Sequence, residues 1–147
     1  MEVIQSRSQL YKTLGISGVV LLLIAGAIFS TVSVRRYARD VVRLSAAREL
    51  YFGLELFHAA NNDYPKGSTV ALGGMQAGCL DNTGFHARGT CSGTIYLPVI
   101  LPDIDGKPFS YSYDAGPPGA YVVQFITEGS IQNFKAGNHV MNPNTMK

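Results

Sequence analysis

The chain has no tryptophan, only two cysteines, no proline before Pro65 and no charged residue between Lys12 and Arg35. Each absence excludes something. Two cysteines are too few for a structural zinc site, and the three histidines are scattered. A net charge of +2 is too small for a nucleic-acid surface, and no nucleic acid is expected as a partner. Without proline, nothing forces a break in the first 64 residues. Without charge, residues 14–34 form an apolar run that covers about 30 Å as a helix, the thickness of a bilayer core.

That run is read as a retained transmembrane helix. A cleavable signal peptide is the rival. It would need a shorter apolar stretch and a small-residue cleavage site ahead of a polar segment, whereas here the helical pattern continues. Gly15, Gly18 and Gly26 lie inside it, as spans tolerate.

After the run the sequence is basic, with Arg35, Arg36, Arg39, Arg43 and Arg48. Tyr37, Val41, Leu44, Ala47, Tyr51, Leu54 and Phe57 follow in steps of three and four, the mark of an amphipathic helix with one packing stripe. The distal part, Tyr51 to Phe57, is expected to pack on a sheet; the proximal part, Tyr37 to Leu44, is expected to stay exposed in a monomer. Arg35, Arg39 and Arg43 recur every four residues, which suits neighbour contacts, phospholipid headgroups or a solvated face. Asn61, Asn62, Asp63 and Pro65 stop the helix. From residue 10 to residue 61 the rod would be about 75–80 Å long.

The remainder is rich in turn residues. Residues 66–93 read as a long loop broken by Gly73, Gly74, Gly78, Gly84 and Gly89. Cys79 and Cys91 lie in it. An even count in a membrane-anchored domain points to a disulfide in an oxidising compartment, contributing roughly 2–3 kcal/mol; the alternative is two free thiols in a cytosolic head. Strands are expected near residues 94–97, 109–113, 120–127 and 135–141, the second and third as a hairpin around Asp114-Ala115-Gly116-Pro117-Pro118-Gly119. The expected fold is α+β: a long N-terminal helix, half membrane-spanning and half amphipathic, on an antiparallel sheet of about three strands. Residues 1–13 form a cytoplasmic segment, 14–34 the span, 35–62 the amphipathic half of the same helix, and 63–147 the head.

Residues 38–65, ARDVVRLSAARELYFGLELFHAANNDYP, resemble the end of the first helix in bacterial type IV pilins and pseudopilins, which commonly reads ARDxxRLSD, LELY and NDNGxYP. Pro102-Asp103 through Tyr111 is similar to the Pro-Asp…Gly-x-Pro-Tyr-x-Tyr segment of pseudopilin-like heads. Phe125 to Gly129, followed by Lys135-Ala136-Gly137, resembles the last strands of small pilins. Cys79-Leu80-Asp81 and Cys91-Ser92-Gly93 are similar to a disulfide-bearing loop in some of them.

The resemblance implies a structural subunit, minor or divergent, of a type IV pilus or a type II secretion-type pseudopilus. Its partners would be membrane lipid, other pilin-like subunits and the assembly platform. It also implies a head outside the cytoplasmic membrane, in agreement with the cysteines and against the positive-inside count.

One segment departs from the family pattern. Ungapped alignment places the small residue before the processed bond on Arg7, the first residue after it on Ser8, and the family's glutamate on Lys12. The alternative is therefore an uncleaved, membrane-anchored display or binding protein that never enters a filament. No catalytic constellation, cofactor or metal is expected. Asp103 and Asp105 offer too few oxygens for a calcium loop and read as turns.

Overall fold

The computed structural model describes residues 2–102, 109–114 and 120–146. The hairpin turn and the Asp103 and Asp105 calcium question lie outside these residues.

Helix α1 runs Glu2–Asn61. It ends as its sequence dictates. The Asn61 side-chain amide donates to the Phe57 carbonyl at 2.9 Å, and the Asn62 amide donates to the His58 carbonyl at 2.8 Å. Asn62 takes a left-handed φ of 58°, a conformation that asparagine tolerates at a helix end. Pro65 then excludes further helix.

The chain divides into two compact units, Met1–Arg36 and Tyr37–Lys147. In the first, every residue from 15 to 36 is exposed. The segment is long and apolar enough to cross a membrane. Its hydroxyls are satisfied within the helix: Ser30 donates to the Gly26 carbonyl at 2.5 Å, Thr31 to Ile28 at 2.8 Å and Ser33 to Phe29 at 3.1 Å. A helix in hydrocarbon requires this, since lipid offers its polar groups no partner.

In the second unit the end of α1 meets two antiparallel sheets. Eight strands follow the helix: β1 (Val70–Leu72), β2 (Cys79–Asp81), β3 (Gly84–His86), β4 (Ile95–Leu97), β5 (Phe109–Asp114), β6 (Ala120–Thr127), β7 (Gly137–Asn142) and β8 (Thr145–Met146). The larger sheet has the order β1-β5-β6-β7-β8 and the smaller β3-β2-β4. The expected hairpin is β5 with β6, in the register Tyr111↔Val123 and Tyr113↔Tyr121; β6 and β7 pair Val123↔Met141 and Phe125↔His139. Period-two alternation sends Tyr121, Val123, Phe125 and Thr127 inward and leaves Gln124 and Ile126 outside.

The core joins Leu44, Ala47, Leu50, Leu54 and Phe57 of α1 to Leu72, Leu80, Leu97, Phe109, Tyr111, Tyr121, Val123, Phe125 and Met141. Three expectations need correction. The larger sheet has five strands rather than about three, and a second sheet accompanies it. Residues 66–93 are not one loop but hold β1, β2 and β3, strands of three residues each, too short to show a period. Leu44, expected to be exposed, is buried at 2 % exposure, so the core begins there; Tyr37 and Val41 are exposed as expected. Leu50 is buried and Tyr51 only half-buried, a one-residue shift of the stripe.

Candidate functional site

A dense polar arrangement lies between α1 and the turn that follows β6. Asp40 and Arg43 are one turn apart on α1 and almost fully buried, at 1 % and 4 % exposure. Asp40 Oδ1 accepts the Glu128 amide at 2.9 Å and Arg43 Nη1 at 2.8 Å, while Oδ2 accepts the Gly129 amide at 2.7 Å. One carboxylate thus satisfies two turn amides and half-neutralises a buried guanidinium. Glu128 completes the charge balance. Its Oε1 accepts Arg43 Nη1 at 2.7 Å and Arg39 Nε at 2.7 Å, and Arg39 Nη2 reaches its Oε2. Arg39, then Arg43, hold the Glu128 carboxyl down at about 2, against the smaller upward push of burial. Further along the same turn, Arg48 donates to Gln132 Oε1 at 2.6 Å. Arginines 39, 43 and 48 therefore fasten α1 to residues 128–132. This corrects the reading of Arg39 and Arg43 as lipid-facing or solvated.

The other end of the head is ordered by tyrosines. Tyr64 donates to Glu55 Oε1 at 2.9 Å, Tyr111 to the Pro65 carbonyl at 2.5 Å and Tyr113 to Asp63 Oδ1 at 3.0 Å. These bonds fix the chain where it leaves α1. The Tyr64 amide and the Tyr113 hydroxyl hold the Asp63 carboxyl below its ordinary range. The ring of Tyr121 meets Tyr64 edge-on and stacks with Tyr111; its buried hydroxyl has no partner among the described residues. The strand tyrosines Tyr111 and Tyr121 are core residues rather than a binding surface.

Cys79 and Cys91 are bonded, with Cα atoms 6.2 Å apart. Between them Asp81 organises the loop. Its Oδ1 accepts the Thr83 amide at 2.8 Å and the Thr83 hydroxyl at 2.7 Å, and its Oδ2 accepts the Ser92 amide at 3.0 Å. Burial pushes the Asp81 carboxyl up, but the Ser92 amide and the Thr83 donors outweigh it and bring it down to about 2. A disulfide and a buried carboxylate together give shape to a segment with little apolar core of its own.

The sequence-derived residues are not brought together in one place. Leu44, Leu54 and Phe57 lie in the core, Tyr51 at its edge, and Tyr37 and Val41 are exposed on α1. Cys79 and Cys91 sit in the smaller sheet and its loop. Arg7, Ser8 and Lys12 lie within α1. What the sequence reading missed is the role of Asp40 and Glu128. The available signal was the mixed run Arg39-Asp40…Arg43: an acid placed among arginines on one helix face needs a partner elsewhere.

A shallow depression is lined by Arg48, Tyr51, Phe52, Asn144 and Thr145, and a narrow crevice by Glu49, Leu50, Leu97, Ile100 and Phe109, among others. Among the described residues no three metal-ligating side chains converge. The arrangement can hold a head rigidly on its helix.

No family model matches the chain, and no curated protein or solved structure matches it.

Proposed function

We propose that this chain is a membrane-anchored, pilin-like structural subunit, minor or divergent, of a type IV pilus or a type II secretion-type pseudopilus. One observation carries the reading. Helix α1 contains a wholly exposed apolar segment, residues 15–34, and its C-terminal stretch from Leu44 to Phe57 forms part of the core of an antiparallel head. Exposed apolar surface of that extent is stable only in lipid or against other apolar helices. The sequence resemblance supplies the family, and the α+β layout is the one that family implies. The anchor lies in the cytoplasmic membrane with the head outside, where the Cys79–Cys91 disulfide is chemically at home. Its partners are lipid, further pilin-like subunits and the assembly platform.

A second reading is favoured by Arg7 and Lys12. Prepilin processing reads a small residue where Arg7 stands. Lys12 cannot neutralise a neighbour's amine as a glutamate would, although its charge can snorkel to headgroups. On this reading the chain stays uncleaved in the membrane and displays its head there.

Fractionation, mechanical shearing and intact-mass analysis of the native protein test both. A form beginning at Ser8 and abundant in sheared filaments supports the filament subunit. A form that retains residues before Ser8 and is confined to membranes supports the anchored display protein. Recovery in the aqueous fraction without detergent sinks both.

A further inference from the structure

We propose that Arg35 and Arg36 grip the phosphates of anionic glycerophospholipids in the leaflet on the head side of the membrane. The proposal rests on the membrane-span reading above. Five arginines follow the apolar run within α1, and the sequence does not distinguish them. The structure does. Arg39 and Arg43 are bound by Glu128 and Asp40, and Arg48 by Gln132. Arg35 and Arg36 are exposed and have no ion pair among the described residues. The hydroxyls of Ser30, Thr31 and Ser33 are already given to helix carbonyls. The side-chain donors left at this end of the first unit are the two guanidiniums.

Depth selects their ligand. Residues 15–34 at 1.5 Å per residue cover about 30 Å, so a span filling the hydrocarbon core places the next two residues at the phosphate level. A guanidinium matches a phosphate with two parallel N–H donors, a geometry that an ammonium lacks. Consecutive helix positions diverge by about 100°, so the pair reaches phosphates on two sides of the helix. A protein acid is the competing partner for such charges. It would have to sit within the headgroup layer, where lipid phosphate is far more concentrated.

The test uses the full chain in neutral detergent, titrated with phosphatidylglycerol and phosphatidylcholine, with bound lipid counted by native mass spectrometry. The wild type should prefer phosphatidylglycerol. Arg35→Gln with Arg36→Gln should weaken that preference by about fivefold per arginine, from the usual strength of a basic residue at an anionic surface. Any preference that remains belongs to Arg7 and Lys12. Arg88→Gln, an exposed charge in the head, should change nothing. An unchanged preference in the double variant overturns the proposal, as does an equal loss in Arg88→Gln. Insertion into phosphatidylcholine nanodiscs separates the two readings. Wild type and double variant should both insert; if they do and the lipid preference is absent, only the headgroup proposal falls. If the wild type does not insert, the membrane reading falls and takes the proposal with it.

Discussion

Arg43 Nη1 lies 2.7 Å from Glu128 Oε1, joining a buried helix position to the turn after β6 across 85 residues of sequence. The same nitrogen donates to Asp40 Oδ1 at 2.8 Å, so the guanidinium is shared between a carboxylate on its own helix and one on the sheet side. A buried charge left without such partners is costly, and this fixes the consequence of breaking the arrangement.

Asp40→Ala removes the acceptor for the Glu128 and Gly129 amides and leaves Arg43 with one carboxylate. The expected loss is about 3–5 kcal/mol, the range for a broken buried pair. Chemical denaturation of the full chain in detergent, followed by head tyrosine fluorescence, measures it. A loss under about 1 kcal/mol, typical of a surface pair, would show that the arrangement contributes little.

Acid should loosen the head through the same residues. Glu128 is held at about 2 when folded, below its ordinary 4.5, and Asp81 at about 2, below 3.8. Their folded values are depressed, so their contribution is fully present above the unfolded values. It is lost as pH falls from about 4.5 toward 2. Glu128→Gln should flatten the pH dependence of the denaturation midpoint in that window. A variant that parallels the wild type from neutral pH down to pH 2 would remove Glu128 from this account.

The disulfide should resist labelling and matter to the loop. Thiol alkylation without reductant should modify neither Cys79 nor Cys91. Cys79→Ser with Cys91→Ser should destabilise the head by roughly 2–3 kcal/mol, by the loop-closure estimate for a span of this length. Labelling of both cysteines in the native protein would contradict the bond and the head-outside topology that draws on it.

The packing stripe should divide sharply. Leu54 and Leu44 are 0 % and 2 % exposed, whereas Val41 is 42 % exposed. Leu54→Asp and Leu44→Asp each bury an unpaired charge and should cost several kcal/mol, enough to unfold a marginal head. Val41→Asp should stay within about 0.5 kcal/mol, as surface changes do. Equal destabilisation by Val41→Asp and Leu54→Asp, measured as helix and sheet content on heating, would place the core boundary wrongly.

The parts legible in the sequence were those with a long period or a strong stop. Residues 14–34, the helix end at Asn61 and Asn62, and the β5–β6 hairpin all announce themselves by composition or alternation. Strands β1 to β3 do not, because three residues carry no period and their pairing is set by the disulfide loop and by β5. Gly53 lies in the amphipathic half of α1, where spacing alone assigns it no role. In the fold a Cβ there would lie 2.3 Å from Leu97 Cγ, so the glycine admits β4 against the helix. The arginine stripe misled for a related reason: spacing of four shows that residues share a face, but not that Glu128 waits opposite it.

The central claim is that the exposed helix packs against other span-bearing subunits. Photo-crosslinking in intact cells tests it most directly, with a benzophenone amino acid at Val41 or Phe52, both exposed, and the chain without the photoreactive residue as the folding control. The account predicts adducts from Val41 or Phe52 to further copies of this chain or to other small pilin-like proteins in the membrane or the sheared fraction. A membrane-inserted, folded protein that yields only lipid adducts at both positions would contradict it.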